Sequence, residues 1–186
     1  MSLSSQEAQA SLAEAEQARR KSAEVYFYRR SSPHLIMWGG IWILGYGGCQ
    51  YFPDDSNLIW GPLIALGVIG GILIGRRSAG DACAWGHQLS WRMPALTALI
   101  IFFVFGTYAI LAPTHGAQYA AYPALITGTA YSAVGLWVGT RYLVTGILVM
   151  ALTLVGYFYL QEYILLWLAF VGGGSMILAG FWFRTV

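Results

Sequence analysis

Apolar and polar positions follow one another along the chain in long blocks, not at a short period. Six apolar runs, at 35–52, 58–75, 94–112, 120–139, 142–160 and 163–183, are separated by polar breaks. Each run is close to the ~20 residues an α-helix needs to cross the hydrocarbon of a bilayer. The breaks are Pro53 to Asn57, the longer stretch 76–92, Pro113 to Gln118, Thr140-Arg141 and Gln161-Glu162. Only Thr140-Arg141 parts the fourth run from the fifth. Their joint length is about twice that of one span, so they read as two helices.

The chain before the first run has a different pattern. Ser4-Ser5-Gln6-Glu7 has the form of a capping box, and good helix formers follow it. Glu7, Glu14 and Glu16 come early, whereas Arg19, Arg20, Lys21, Arg29 and Arg30 come late, which suits the helix dipole. The apolar stripe is thin: Ala8, Leu12, Ala15 and Val25. Ser31-Ser32-Pro33 is expected to end this helix, because the residue before proline is pushed out of the α region. The expected architecture is therefore an all-α membrane protein. A cytoplasmic or interfacial amphipathic helix occupies 1–33, and a six-transmembrane-helix bundle occupies 34–186.

Composition agrees with this reading. The 186 residues are 58% hydrophobic and 10% charged, with mean hydropathy +0.59, whereas a soluble domain carries about 25% charged residues. A net charge of +2 is too small to point to nucleic acid. No cleavable signal peptide is expected, since a long mixed-charge stretch precedes the first apolar run. Cys49 and Cys83 fall on opposite sides of the expected membrane and read as free thiols.

Charge placement sets the orientation. With six spans, all ten Lys and Arg, including Arg76, Arg77, Arg92, Arg141 and Arg184, share one side. The opposite breaks hold only Asp54, Asp55, His115 and Glu162. The positive-inside rule then makes both termini cytoplasmic, in a cell membrane of the bacterial inner-membrane type. Tyr51, Trp60, Trp85, Trp91, Tyr119, Tyr142, Tyr163 and Trp182 fall at the expected interfaces as an aromatic belt. The runs also read as three repeated helical hairpins. Gly45-Tyr46, Gly106 with Tyr108, and Gly156-Tyr157 mark the first helix of each pair, and Arg76, Arg141 and Arg184 close the second. Chance similarity among apolar segments is the competing explanation.

Small residues recur at close spacing: Gly67, Gly71 and Gly75, four apart, then Gly128, Ser132, Gly135 and Gly139, and on the sixth run Gly172-Gly173-Gly174-Ser175 followed by Ala179. Such spacing lets helix backbones approach closely in lipid, which places the even-numbered spans at the centre and the bulkier odd ones outside. The contacts would lie within one protomer or between copies. No Asp, Glu, Lys, Arg or His falls inside a run, which weighs against proton relays, cation paths and intramembrane metal chemistry. Thr107, Thr127, Thr129, Tyr131, Ser132, Thr145, Thr153 and Ser175 would line a path for a small neutral solute, or bond their own helix backbone or a neighbouring helix. Asp81, Cys83 and His87 cannot complete a structural zinc set, and nucleophile and phosphate-loop motifs are missing. No catalytic residue, metal site or cofactor is expected.

The leader is the feature that packing of a bundle leaves unexplained. One reading is an interfacial helix held by anionic headgroups. The other is a docking helix for a cytosolic protein, such as a transcription regulator, or for a second copy, using Leu12, Ala15, Arg19, Arg20 and Val25. The expected function is accordingly a non-enzymatic regulatory or adaptor membrane protein. A transporter or channel for a small neutral solute is the alternative.

Overall fold

The computed structural model describes residues 5–77 and 92–185. They are helical almost throughout, and no strand occurs among them. Helix α1 spans Ser5–Tyr51, and a 3-10 turn at Pro53–Asp55 leads into α2 (Ser56–Arg77). Beyond the stretch 78–91 come α3 (Arg92–Leu111), α4 (Gly116–Val138), α5 (Thr140–Tyr159) and α6 (Gln161–Phe183). The last of these is π-helical over Leu168–Gly173. The possible cap at Ser4 and the residues Asp81, Cys83, Trp85, His87 and Trp91 lie outside the described residues.

The leader does not stop at Pro33. Helix α1 is continuous for 47 residues with Pro33 inside it, so leader and first apolar run are one element. An interior proline costs a helix ~3 kcal/mol, and the surrounding contacts offset it. Ser32 and Leu35 are fully buried. A Cβ added at Gly39 would come within 2.6 Å of the Gly173 carbonyl, and one at Gly173 within 2.7 Å of the Gly39 carbonyl. At Gly180, an added Cβ would meet Ile36 at 2.6 Å and the Ser32 carbonyl at 3.0 Å. These pairings run in opposite directions along the two helices, so α1 and α6 pack antiparallel with backbones nearly touching. Burial on both sides of Pro33 holds the helical conformation that local preference opposes.

Helices α4 and α5 form a second close antiparallel pair, through Gly128 against Met150 and the Gly146 carbonyl, and Gly135 against Leu143. Helix α2 lies along α1, with Gly45 against Trp60, Gly67 against Trp38 and Ile41, and Gly70 against Met37. Tyr108 of α3 meets Tyr119 and Tyr122 of α4 at ring distances of 5.1 and 5.5 Å. The buried core takes Tyr28, Leu35, Trp42 and Tyr46 from α1, alanines 120, 121 and 124 from α4, Tyr142 and Val149 from α5, and Leu168, Met176 and Phe183 from α6.

This corrects the expected alternation of even helices inside and odd helices outside. The first run lies at the centre and the second at the rim. The physical reason is that Gly39 and Gly45 give α1 the same capacity for close approach as the spaced small residues counted on the even helices.

Among the described residues, three helices are long and apolar enough to cross a membrane: Pro53–Arg76, Thr140–Tyr159 and Gln161–Phe183. The most hydropathic, Pro53–Arg76, is also the least buried of them. It exposes Leu58, Leu66, Ile69, Ile72 and Leu73. The run 35–52 and α4 lie outside that group, because their Gly, Tyr, Trp and Thr lower the mean hydropathy. A contiguous apolar surface of this kind is foreign to soluble monomers and points to membrane association.

Candidate functional site

The leader divides physically into an arm and a base. From Gln9 to Ala23 every residue is exposed. This arm holds Leu12, Ala15, Arg19 and Arg20, four of the residues expected to dock a partner; the fifth, Val25, is partly buried in the base. At 1.5 Å per residue the arm extends ~20 Å.

The base is fixed to the opposite end of the chain by aromatic packing. Tyr28, 1% exposed, stacks on Tyr142 with ring centroids 5.4 Å apart and meets Phe183 at 4.9 Å. Tyr142 lies 4.8 Å from Phe183 and 6.1 Å from Tyr131. Tyr28 Oη donates to Glu24 Oε1 (2.8 Å) and accepts from the Arg141 backbone N–H (3.1 Å). Burial pushes the Tyr28 phenol above its ordinary pKa, with Glu24 adding to the shift, so the hydroxyl keeps the proton it donates. Tyr142 Oη donates to the Phe27 carbonyl (3.1 Å) and is also bonded to Ser31 Oγ.

Two arginines close the junction. Arg141 Nη1 donates to the Trp182 carbonyl and to Thr185 Oγ1 (3.0 Å), and its guanidinium lies over the rings of Trp182 (4.9 Å) and Tyr28 (5.6 Å). Arg184 Nε donates to Ser32 Oγ (2.8 Å), which donates to the Gly180 carbonyl (2.7 Å). Replacing Ser32 by Ala removes both bonds at a fully buried position. The expected loss is ~1–3 kcal/mol, because a charged donor and a buried carbonyl are left without this partner. Thermal unfolding in detergent reads it as a lower midpoint.

The small residues singled out by spacing do not form one surface. Gly128, Ser132 and Gly135 line the α4–α5 contact, and Gly139 sits where a Cβ would meet Tyr28 and Glu24. Gly67 packs on α1, a Cβ at Gly71 would be in ordinary contact with His34, and among the described residues nothing lies within 4 Å of a Cβ added at Gly75. Gly173, in the glycine cluster of the sixth run, packs on the Gly39 carbonyl, while Gly39, Gly146 and Gly180 make equally close approaches and lack the four-residue run that would mark them in sequence. The aromatic junction has no local mark in the sequence either, since Tyr142 reads as part of the aromatic belt. The pairing of Tyr28 with Tyr142, separated by more than a hundred residues, is not a local property.

Hydroxyls bond mainly their own helices. Thr107, Thr127, Thr129, Thr145 and Thr153 each donate to the carbonyl four residues earlier, and Ser175 to Gly172. Ser132 Oγ is buried beside Gly146 without a hydrogen-bond partner. Cys49 is buried and His115 is exposed at the start of α4. Among the described residues no group of His, Cys, Asp and Glu is placed to hold a metal. No protein-family model, curated protein or solved structure matches the chain.

Proposed function

We propose that the chain is a multi-pass protein of six spans with both termini in the cytoplasm, and that it acts without catalysis. It serves as a regulatory adaptor, holding a cytosolic protein at the membrane through the arm of α1. The observation that carries this reading is one continuous helix with two environments. Residues 9–23 are exposed throughout, while Tyr28, Leu35, Trp42 and Tyr46 of the same helix are core residues. A rigid, charged helix held at a fixed angle to a bundle offers a partner a preformed surface, which lowers the ordering cost of binding. The solute-path reading would draw on hydroxyls that mostly bond their own backbone, so the docking reading is preferred.

The test compares the full chain with one lacking residues 1–23, each tagged at the C-terminus and purified from native membranes. The shorter chain keeps Tyr28 and is expected to keep the wild-type unfolding midpoint. A specific cytosolic protein should accompany the full chain only, and be lost also in Arg19→Glu/Arg20→Glu. Capture of the same proteins by both chains ends the docking reading. The six-span topology has its own check. A membrane-impermeant thiol reagent added outside intact cells should label a cysteine placed at Asp54 and not one placed at Thr185. Labelling at Thr185 refutes the cytoplasmic C-terminus.

A further inference from the structure

Between α5 and α6 lies an open groove of about 270 Å³. Val144 and Leu148 form its α5 wall, and Leu178, Ala179 and Trp182 form its α6 wall. Thr145 and Ser175 also line it, but each donates its hydroxyl hydrogen to its own helix, at 2.8 Å to the Arg141 and Gly172 carbonyls. The surface offered is therefore apolar. Residues three, four and seven apart share a helix face. Arg141, Val144 and Leu148 thus form one strip, and Ser175, Leu178 and Trp182 form the facing one.

Both strips end at the same place. There the Arg141 guanidinium lies over the Trp182 ring at 4.9 Å, with Nη1 bonded to the Trp182 carbonyl and Thr185 Oγ1. Its Nε and Nη2 make no hydrogen bond among the described residues. Helices α5 and α6 are two of the three long and apolar enough to span a bilayer, and Val144, Leu148, Leu178 and Trp182 are all exposed. The groove runs ~10 Å along the helices, most of the ~15 Å depth of one hydrocarbon leaflet.

We propose that this groove binds an anionic phospholipid, one acyl chain lying along Val144, Leu148 and Leu178 with its phosphate on Arg141. The proposal takes the chain to span the membrane and does not depend on what the arm binds. A fork of N–H donors at one end of an apolar trough complements a molecule with an anion at one end and hydrocarbon at the other. Guanidinium matches phosphate geometry with two parallel bonds. A free phosphate would leave the trough unfilled, and a zwitterionic lipid brings a second cation beside Arg141. Basic pockets between spanning helices on the cytoplasmic side recognise anionic headgroups in this way.

The test uses the full chain, delipidated in mild detergent and titrated with phosphatidylglycerol or phosphatidylcholine of identical acyl chains, with bound lipid counted by native mass spectrometry. Phosphatidylglycerol is expected to bind at least ~5-fold more tightly, the advantage one arginine near the headgroup supplies. Arg141→Gln should abolish that preference. Val144→Trp changes an exposed residue and fills the trough without removing the cation; it should weaken both lipids, and it keeps the test decisive if Arg141→Gln does not fold. Arg76→Gln, an exposed cation at the end of α2, should leave the preference intact. Equal binding of the two lipids by the wild-type chain overturns the proposal. So does undiminished binding by Val144→Trp, an equal loss in Arg76→Gln, or displacement by glycerol phosphate as effective as by the lipid.

Discussion

Gly146→Val is expected to cost the protein stability at or above the upper end of the ~1–3 kcal/mol typical of overpacking. A Cβ at Gly146 would run into the Gly128 carbonyl and the Ser132 amide. Both are backbone atoms, so no side-chain rotation relieves the clash. Helices α4 and α5 would have to separate, and the contacts of Gly128 with Met150 and of Gly135 with Leu143 would loosen together. Where lipid surrounds helices as apolar as their own side chains, close packing carries most of the association, so separation has little to replace it. Gly75→Ala supplies the contrast. Nothing lies within 4 Å of an added Cβ there, and alanine favours a helix by up to ~1 kcal/mol over glycine. Unfolding midpoints in one detergent should fall for the first variant and hold or rise for the second. A Gly146→Val chain that melts with the wild type would mean that α4 and α5 are not this close.

The contrast between Gly146 and Gly75 also marks what sequence can carry. Helical class and the existence of apolar helices follow from run length and composition, which are local. Gly75 completes a regular four-residue series, yet an added Cβ there meets no described atom within 4 Å, while Gly146 belongs to no such series and an added Cβ would meet two backbone atoms. Spacing records which face of a helix is smooth; it does not record whether another helix lies against that face. The same limit applies at Pro33. Its local preference is to end a helix, and burial of Ser32 and Leu35 against α6 overrides it. The leader's charge pattern was legible, and the exposure of residues 9–23 accords with it. Its attachment was not, because Tyr142 and Phe183 lie more than a hundred residues from Tyr28 and meet it only in the packed fold.

That attachment gives the second large effect. Tyr28→Ala removes a fully buried ring from between Tyr142 and Phe183, and truncations of this kind cost ~3–5 kcal/mol. It also removes the acceptor for the Arg141 amide and the donor to Glu24. Tyr28→Phe keeps the ring and loses only those two bonds, so its cost should be nearer the ~1–3 kcal/mol of an unsatisfied partly buried group. The consequence for the arm is separable from global stability. With the Tyr28 ring gone, the helix between Glu24 and Ser32 keeps the bonds at Phe27, Ser31 and Ser32 but not its aromatic anchor, and an isolated helical arm of this length is marginal in water. Amide exchange across 9–32 should accelerate in Tyr28→Ala while the α4–α5 pair stays protected. Partner capture should fall even though Leu12, Ala15, Arg19 and Arg20 are unchanged. If exchange in the arm matches the wild type while the unfolding midpoint drops, the arm holds its own helix, and Tyr28 serves the bundle alone.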